Sequence, residues 1–297
     1  MTTSFLNNIP TLQSTDVTNK RCLVRVDFNV PVKDGKIVDQ ARILAAKPTI
    51  DYLLKAKAKV ILLSHFSRIK SISDVRSGKK SLFVVAKALK KLYPKYRILF
   101  VKNNTDERLP DIINKMKTNQ IILLENTRYN DVDAKGKVVK LESKCDLRLA
   151  KFWAKLGDVY VNDAFATIHR GHASNAGIAK YMKNKCIGFL IQDELENIIK
   201  FDKYATKPIV SIIGGAKIAD KISLLKRLME TSDQVLIGGA MANTFLVSQG
   251  IELGSSKYEK EMLKVAADLY EKHKDKIILP IDLVAAKKVE NEKGKAF

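Results

Sequence analysis

The sequence predicts an α/β fold built from two parallel-sheet domains, and three observations support this prediction. Short apolar runs alternate with helix-like patterns, which is typical of parallel strands joined by crossover helices. The chain of 297 residues exceeds what one ordinary core serves, so two domains are the default. Hydrophobic residues make up 46% of the chain, a normal share for a globular protein.

The predicted elements follow one another in a regular order. In the first part of the chain, apolar runs predict strands over residues 23–30, 59–65, 97–101, 120–126 and 158–164. After a break, further strands are predicted over 208–215, 234–239 and 276–286. Between the strands, apolar residues at helical spacing predict helices over 41–57, 82–93 and 221–230. The polar, charged segment 130–146 is expected to be a surface loop.

The composition excludes several classes of protein. No apolar run has the length of a membrane helix, and no positive charge precedes Lys20, as it would in a signal peptide. Cys22, Cys145 and Cys186 are scattered and form no CxxC pair. This pattern favours a reducing compartment and predicts neither a disulfide framework nor a zinc cluster. We therefore expect a cytoplasmic protein without a membrane partner.

The net charge of +21 is concentrated in the first part of the chain. Residues 1–186 contain 36 Lys and Arg against 16 Asp and Glu, which gives +20. Residues 187–297 contain 17 against 16, which gives +1. These two ranges are the predicted domains. A basic surface attracts anions, and charge alone leaves a phosphorylated metabolite and nucleic acid both open as ligands.

Three polar residues share one face of the first predicted strand. Arg25, Asp27 and Asn29 alternate with apolar residues along 23–30. A buried strand of a parallel sheet should be apolar on both faces. Taken alone, the pattern is best explained by a solvated edge strand, but the ends of the other strands favour a ligand site.

Several predicted strands end in charged or polar residues, and parallel sheets bind ligands outside the carboxyl ends of their strands. In the first domain these residues are mainly arginines, which suit bidentate capture of phosphate and carboxylate. They are Arg25, Arg42, Arg68, Arg128 and Arg170, and His65 and His169 add donors. Any one arginine is better explained by a surface ion pair. Their shared position indicates a small, highly anionic ligand.

In the second domain the corresponding residues are glycines and lysines. Gly214 and Gly215 precede a predicted helix, where backbone N–H groups can approach a phosphate. Lys217 and Lys221 are four residues apart and are expected on one face of that helix. Neither a Walker A motif nor GxGxxG is present. The glycine pair with two lysines predicts a nucleotide-phosphate site.

Two remaining features predict less. His169 and His172 form an HxxH pair without a cysteine or carboxylate at ligand spacing, so we prefer an anion-binding loop and predict no metal site. Trp153 has apolar neighbours at helical spacing and is predicted to be a core residue. No Ser/His/Asp or Cys/His arrangement stands out.

Successive segments over nearly the whole chain resemble the signatures of phosphoglycerate kinases, in family order. They are RVDFNVP, DQARILAAKPTIDYLL, LLSHFSR, LLENTRY, DVYVNDAFATIHRGHAS, GFLIQDEL, SIIGGAKIADKI, IGGAMANTFL and ILPIDLV. The resemblance implies two Rossmann-like domains joined by a hinge helix. It implies phosphoryl transfer between 1,3-bisphosphoglycerate and ADP, giving 3-phosphoglycerate and ATP, with Mg²⁺ on the nucleotide. We also expect a monomer, and we do not expect nucleic acid as a partner.

The resemblance assigns roles to matching positions. The positions that match the family's substrate site in the first domain are Arg25, Asp27, Asn29, Arg42, His65, Arg68, Arg128 and Arg170. Those that match its nucleotide site in the second domain are Gly214, Gly215, Ala216, Lys217, Lys221, Gly238 and Gly239. Arg42 matches the catalytic arginine, and Lys221 matches a lysine that helps to stabilise the transferred group.

The chain also departs from the family pattern. Ser67, Ala166 and Ala240 stand where the family usually has glycine, and Ile69 replaces a proline. Losing glycine removes freedom at positive φ, so slower turnover is expected. The family's last quarter, with a Gly-Gly-Asp loop beside the nucleotide's magnesium, has no counterpart in these residues, so the second domain is expected to be incomplete. The alternative function is therefore a truncated, non-catalytic relative that binds polyanions or nucleic acid.

Overall fold

The computed structural model describes residues 8–285 and 295–296. The chain divides into two compact units, Met1–Lys200 (unit 1) and Phe201–Phe297 (unit 2). This division falls within the helix Phe189–Tyr204, whereas the predicted boundary at 186/187 lies just ahead of that helix. Among the described residues, no helix combines the length and the apolar character that crossing a membrane requires.

Unit 1 is built on a six-stranded parallel sheet with the strand order β5-β6-β4-β1-β7-β8. Its strands are β1 (Arg21–Val26), β4 (Lys59–Leu63), β5 (Arg97–Val101), β6 (Gln120–Leu124), β7 (Val159–Asp163) and β8 (Lys185–Ile187). A separate antiparallel hairpin consists of β2 (Val32–Lys33) and β3 (Lys36–Ile37). The sheet confirms the predicted α/β class. Strand β8 is missing from the prediction because its three residues include an exposed lysine and show no apolar run.

Helices pack on both faces of this sheet. The helices in this part of the chain are α1 (Ala41–Ala45), α2 (Lys47–Lys55), α3 (Ile72–Arg76), α4 (Phe83–Leu92), α5 (Leu109–Asn114), α6 (Leu147–Ala154), α7 (Ile178–Tyr181) and α8 (Phe189–Tyr204). On one face, Val24 of β1 belongs to an apolar core that includes Leu53 of α2 and Leu89 of α4. On the other face, the neighbouring residue Leu23 packs in a second core with Trp153, which confirms the core position predicted for that tryptophan.

The first strand is shorter than predicted, and it is not an edge strand. It ends at Val26, because the Asp27 carboxylate accepts a hydrogen bond from the Asn29 N–H (3.1 Å) and turns the chain. The Val30 N–H then bonds back to the Phe28 carbonyl (2.9 Å). Since β1 lies between β4 and β7, the alternative of a solvated edge strand is wrong, and its polar residues are buried or lead into loops at the centre of the sheet.

The segment 130–146 is a surface loop only in part, which corrects the prediction. Asp131 and Glu142 within it are buried, and Glu142 has no exposed surface. Asp131 accepts hydrogen bonds from the N–H and hydroxyl of Ser143, so the loop folds around its own carboxylate. The many charged residues of this segment predicted exposure. A charged side chain can be buried when it is paired, but a local sequence pattern does not reveal its partners.

Unit 2 has a three-stranded parallel sheet with the order β11-β10-β9. Its strands are β9 (Val210–Gly214), β10 (Gln234–Gly238) and β11 (Ile277–Ile278), and its helices are α9 (Ile222–Thr231), α10 (Gly239–Ser248) and α11 (Leu263–His273). A short antiparallel pair joins β12 (Val284–Ala285) to β13 (Lys295–Ala296). The strand predicted over 276–286 is therefore broken, because Pro280 lacks the N–H that the ladder requires; residue 286 lies outside the described residues.

Candidate functional site

The carboxyl ends of four neighbouring strands of unit 1 carry the predicted substrate residues. Because β6, β4, β1 and β7 are parallel and adjacent, the segments that follow them meet at one edge of the sheet. His65 follows β4, Arg128 follows β6 and Arg170 follows β7, while Arg25 is the penultimate residue of β1. These groups therefore lie at or after the carboxyl ends of adjacent strands, as the sequence predicted.

The loop after β1 is tied to α1 by an ion pair. Arg42 donates through its guanidinium to Asp27, which is almost fully buried, while 46% of the Arg42 side chain is exposed. The Arg42 side chain is therefore anchored at one nitrogen and accessible at the rest of its surface. Such a side chain can contact a ligand at the sheet edge without losing its carboxylate partner.

The loop after β4 is held by Asn29. The Asn29 side-chain oxygen accepts a hydrogen bond from the Ser67 N–H (2.8 Å), and Ser67 has a φ of 55°. This is the left-handed region in which glycine is favoured, so Ser67 is strained where the family pattern has glycine. Ala166 lies in a 3₁₀ turn (Phe165–Thr167) and Ala240 lies in α10, and neither has a positive φ.

Arg25 differs from the other arginines because its side chain is fully buried. Its Nε donates to the Ser174 hydroxyl (2.9 Å), another nitrogen donates to the Val26 carbonyl, and a third lies 3.3 Å from His65 Nδ1. In this conformation Arg25 fastens β1 to the loop after β7 and presents no surface to a ligand.

His65 and Arg128 lie within a strongly positive environment. Burial and the charges of Arg25, Arg128 and Arg170 lower the pKa of His65 far below its ordinary value, so the imidazole is neutral at physiological pH. Its 3.8 Å approach to Asp27 is therefore not an ion pair under these conditions. A neutral ring beside three guanidinium groups can donate or accept a hydrogen bond without adding charge.

Arg128 is the clearest sign that an anion is expected here. Burial lowers its pKa, the charges of Arg170 and Arg68 lower it further, and Asp131 and Glu142 partly compensate. The Arg128 Nε is buried and has no hydrogen-bond partner among residues 8–285 and 295–296. Like charges that face one another beside an unsatisfied donor are costly unless an anion binds between them. Arg68 and Arg170 themselves are exposed.

The contacts and electrostatic couplings link all the predicted substrate positions. We call the group Arg25, His65, Arg68, Arg128 and Arg170 the arginine cluster; Asp27, Asn29 and Arg42 join it through His65, Ser67 and the Asp27 ion pair. His169 and His172 do not behave as a pair, because His169 is exposed and His172 is buried.

Sequence reasoning assigned no role to residues that support the cluster from beneath. Asn126 joins the loops after β4 and β6, since its side chain accepts from the Phe66 N–H (2.9 Å) and donates to the Phe66 carbonyl (2.6 Å). Glu142 accepts from both the N–H (2.9 Å) and the hydroxyl (2.5 Å) of Ser174. The position of Asn126 after a strand was a usable signal, whereas Glu142 sits in a polar stretch that gave none.

In unit 2 the predicted glycines bring two strand ends unusually close together. Gly214 is opposite Gly238 in the register of β9 and β10, and α10 starts at Gly239. Gly239 has a φ of 66°, and a Cβ there would lie 3.2 Å from both the nitrogen and the oxygen of Gly215. The Met241 N–H donates to the Gly215 carbonyl (2.8 Å). The positive φ and this close approach both favour glycine at position 239, the first residue of α10, where helix N–H groups lack intrahelical partners.

The two lysines are arranged differently from the prediction. Helix α9 begins at Ile222, so Lys217 lies in the preceding loop and Lys221 in a 3₁₀ turn, and they do not share one face of an α-helix. Ahead of the helix, the Ile218 N–H donates to the buried Glu259 carboxylate, which ties down the loop next to Lys217. Lys221 nevertheless lies over the glycines: a Cβ at Gly215 would be 3.2 Å from its Cε and 3.7 Å from its Nζ.

No group of three or more His, Cys, Asp or Glu side chains in the described ranges is placed to hold a metal ion. The nucleotide positions thus offer backbone N–H groups and a lysine ammonium, which are donors for phosphate oxygens. These glycine, alanine and lysine residues carry no carboxylate or imidazole group that could coordinate a metal ion directly.

Comparisons with known proteins agree with this geometry. The phosphoglycerate kinase family model matches residues 12–297. A phosphoglycerate kinase of Malacoplasma penetrans is 49% identical over 285 residues, covering 95% of this chain and 60% of the relative. That of Mycoplasma genitalium is 47% identical over 288 residues, covering 97% of this chain and 70% of the relative.

Solved structures give the same picture. The phosphoglycerate kinase of Coxiella burnetii superposes with a TM-score of 0.73 at 35% identity, over 97% of this chain and 70% of that one. That of Pyrococcus horikoshii gives 0.77 at 28% identity, over 93% and 68%. The chain thus spans about 60–70% of the length of the relatives that it matches.

Proposed function

The chain belongs to the phosphoglycerate kinase family, and we propose that it acts in phosphoryl transfer between 1,3-bisphosphoglycerate and ADP, giving 3-phosphoglycerate and ATP. The activity is a proposal for this chain because the chain spans 60% of its Malacoplasma relative. The role would place it in the cytoplasm as a soluble enzyme with small-molecule partners. We further propose that it is monomeric.

The observation that carries the proposal is the arginine cluster with its unsatisfied donor. Burial and the charges of Arg170 and Arg68 lower the pKa of Arg128, and the Arg128 Nε has no hydrogen-bond partner in the described structure. A phosphate and a carboxylate on one small molecule would supply the missing acceptors. 3-Phosphoglycerate carries both groups.

In the proposed mechanism, this chain's residues contribute position and charge rather than a covalent intermediate. Arg42 keeps its partner Asp27 and has an accessible side chain, which suits a guanidinium that contacts the transferred group. His65 would be a neutral hydrogen-bonding group at the acceptor. Arg25 would support the substrate loops from inside the protein, since its side chain is buried.

On the nucleotide side, we assign the phosphate groups to the cradle between Gly215 and Gly239, because glycine at the start of a helix lets the backbone approach a phosphate. Lys221 lies over this cradle and would neutralise developing charge. Mg²⁺ would arrive with ADP or ATP and be held mainly by phosphate oxygens, as this ion commonly is. It would supply further charge neutralisation.

We propose that unit 1 is the substrate domain and that unit 2 is the nucleotide domain, with α8 as the hinge helix between them. The predicted substrate positions all lie in unit 1, and the predicted nucleotide positions all lie in unit 2. Helix α8 is the element that crosses the division.

A coupled assay with purified chain, 3-phosphoglycerate and MgATP tests the proposed activity. Turnover that Arg42→Ala reduces by roughly 100- to 1000-fold is the expected result, since this is the usual cost of losing a donor to transition-state charge. The control is Arg97→Ala, which removes an exposed arginine at the start of β5, on the opposite edge of the sheet. Equal loss in both variants would refute the assignment of Arg42.

The alternative of a polyanion or nucleic-acid binder rests on the net charge of +20 in residues 1–186. Within the described residues the structure lends it no specific observation, since the arginines whose charges act on His65 and Arg128 lie at one edge of the sheet, as a site for a small anion requires. Titration with single- and double-stranded DNA at two salt concentrations separates the two functions.

A further inference from the structure

Glu142 is a buried carboxylate that the proposed reaction does not use. It lies in the loop between β6 and α6, has no exposed surface, and burial raises its pKa. A carboxylate in this position is costly unless it is paired and hydrogen-bonded. The hydrogen bonds and charges around Glu142 therefore indicate its role.

The contacts of Glu142 converge on one short segment. One carboxylate oxygen accepts the Ser174 N–H (2.9 Å) and the other accepts the Ser174 hydroxyl (2.5 Å). The Glu142 main-chain carbonyl accepts the Ala173 N–H (2.9 Å). Three hydrogen bonds thus fasten residues 173–174, which directly follow His172 in the loop that also carries Arg170.

The same carboxylate reaches the arginine cluster through one intermediate atom. The Ser174 hydroxyl that donates to Glu142 also accepts the Arg25 Nε–H (2.9 Å), so a chain Arg25–Ser174–Glu142 links β1 to the substrate loop. The Glu142 charge also favours the charged state of Arg128, and its oxygen lies 3.8 Å from His172 Nδ1, which has no hydrogen-bond partner in the described structure. One buried anion therefore faces Arg25 within β1 and groups in the segments that follow β6 and β7.

We infer that Glu142 is a positioning residue: through Ser174 it holds Arg25 and the 170–174 loop in place, and it keeps the arginine cluster assembled before an anion binds. It does not touch the ligand. The inference relies on the proposed function only for the identity of that anion, since any phosphate-bearing ligand would use the same assembly.

The change in anion affinity caused by Glu142→Gln distinguishes a positioning role from a simple charge effect, because the two predict changes in opposite directions. Glu142→Gln removes a negative charge beneath a cationic site, so electrostatics alone would tighten anion binding. Loss of position would weaken it, because an amide cannot accept both Ser174 hydrogen bonds at its two ends. We expect weakening on the order of tenfold for 3-phosphoglycerate, by analogy with the loss that follows when the partner orienting a metal ligand is removed.

The experiment compares the full chain with three variants by isothermal titration with 3-phosphoglycerate and with inorganic phosphate. Glu107→Gln removes an exposed charge of the same sign and should leave both affinities unchanged. Ile113→Val, in the core of the second sheet face, lowers stability without approaching the cluster and should also leave them unchanged. Ser174→Ala removes the bridging hydroxyl and should weaken binding as Glu142→Gln does.

A second readout requires no ligand. In the parent chain the Arg25 Nε–H should give a protected arginine side-chain NMR signal, because it is buried and bonded to Ser174. In Glu142→Gln and Ser174→Ala this protection should be lost. A parent chain that binds neither anion would count against the proposed function, while the Arg25 signal would still test the inference. The inference would be overturned if Ser174→Ala bound the anions as tightly as the parent or more tightly and kept a protected Arg25 signal. This result would be decisive even if Glu142→Gln failed to fold.

Discussion

Asp163 connects the end of β7 to the start of α8, and its titration provides the sharpest prediction about stability. Its side chain is fully buried, and one carboxylate oxygen accepts the Leu190 N–H (2.9 Å) in the first turn of α8. The other oxygen has no partner among the described residues. Burial raises the pKa of Asp163 from 3.8 to about 6, while the hydrogen bonds from the backbone N–H groups of Leu190 and Ile191 oppose the shift and the Asp193 charge adds to it.

The direction in which Asp163 changes the stability with pH follows from the proton that it binds in the folded and unfolded states. The folded state holds the Asp163 proton up to about pH 6, whereas the unfolded state releases it near 3.8. Stability from this group is therefore complete below the unfolded value and is lost as pH rises towards 6. A shift of about two pKa units corresponds to about 3 kcal/mol, of which about 2 kcal/mol falls between pH 4.5 and 7.5.

Asp163→Asn should keep an acceptor for Leu190 while removing the titration. Relative to the parent, its free energy of unfolding should rise by about 2 kcal/mol between pH 4.5 and 7.5. Urea unfolding followed by Trp153 fluorescence measures this in unit 1 alone, because Trp153 is the single tryptophan of the chain and lies in a unit 1 core. Comparing the two proteins cancels the opposite contributions of His65 and His172, whose pKa values are lowered by burial.

The control is Asp34→Asn, which removes a carboxylate from an exposed turn of the same unit. It corrects the Asp163 result for the loss of one negative charge. If the stability difference between Asp163→Asn and the parent is the same at both pH values, the argument from burial is refuted.

Three further outcomes follow from the same contacts. Gly188→Ala should destabilise unit 1 by about 2 kcal/mol or more in urea unfolding, since its Cβ would lie 2.3 Å from an Asp163 oxygen that Leu190 holds in place; unchanged stability would show that Asp163 moves freely. Arg42→Ala should cost about 1–2 kcal/mol as well as activity, because it leaves buried Asp27 without its cation; Asp27→Asn in the same background should recover part of that loss. Gly239→Ala should weaken MgADP binding and spare 3-phosphoglycerate binding, because its Cβ would press on Gly215; equal titrations with the parent would contradict the proposed cradle.

Much of the fold could be predicted from the sequence because parallel strands buried on both faces read as apolar runs. The strands predicted over 59–65 and 120–126 illustrate this, since both are present and buried, and each ends two residues before its predicted end, at Leu63 and Leu124. The failures have local causes. Pro280 interrupts the last predicted strand, and β8 is too short to form a pattern.

The candidate site was predictable where a strand end marked it and unpredictable where burial decided it. His65 and Arg128 follow strands, so their position could be expected. The buried supporting role of Arg25 could not, because it depends on Ser174, 149 residues further along the chain. The supporting role of Glu142 could not be predicted for the same reason, since it also depends on contacts with Ser174, 32 residues further along the chain. The departure at Ser67 was recognised from the sequence, and the structure gives it a physical meaning through its positive φ.

The most direct test of the account is calorimetric titration of the 297-residue chain with 3-phosphoglycerate. The account predicts saturable binding at one site, weakened strongly by Arg128→Ala and by rising salt, and unaffected by Arg97→Ala on the opposite sheet edge. A folded chain that binds no 3-phosphoglycerate, or binds it equally well after Arg128→Ala, would contradict the assignment of the arginine cluster as the substrate site.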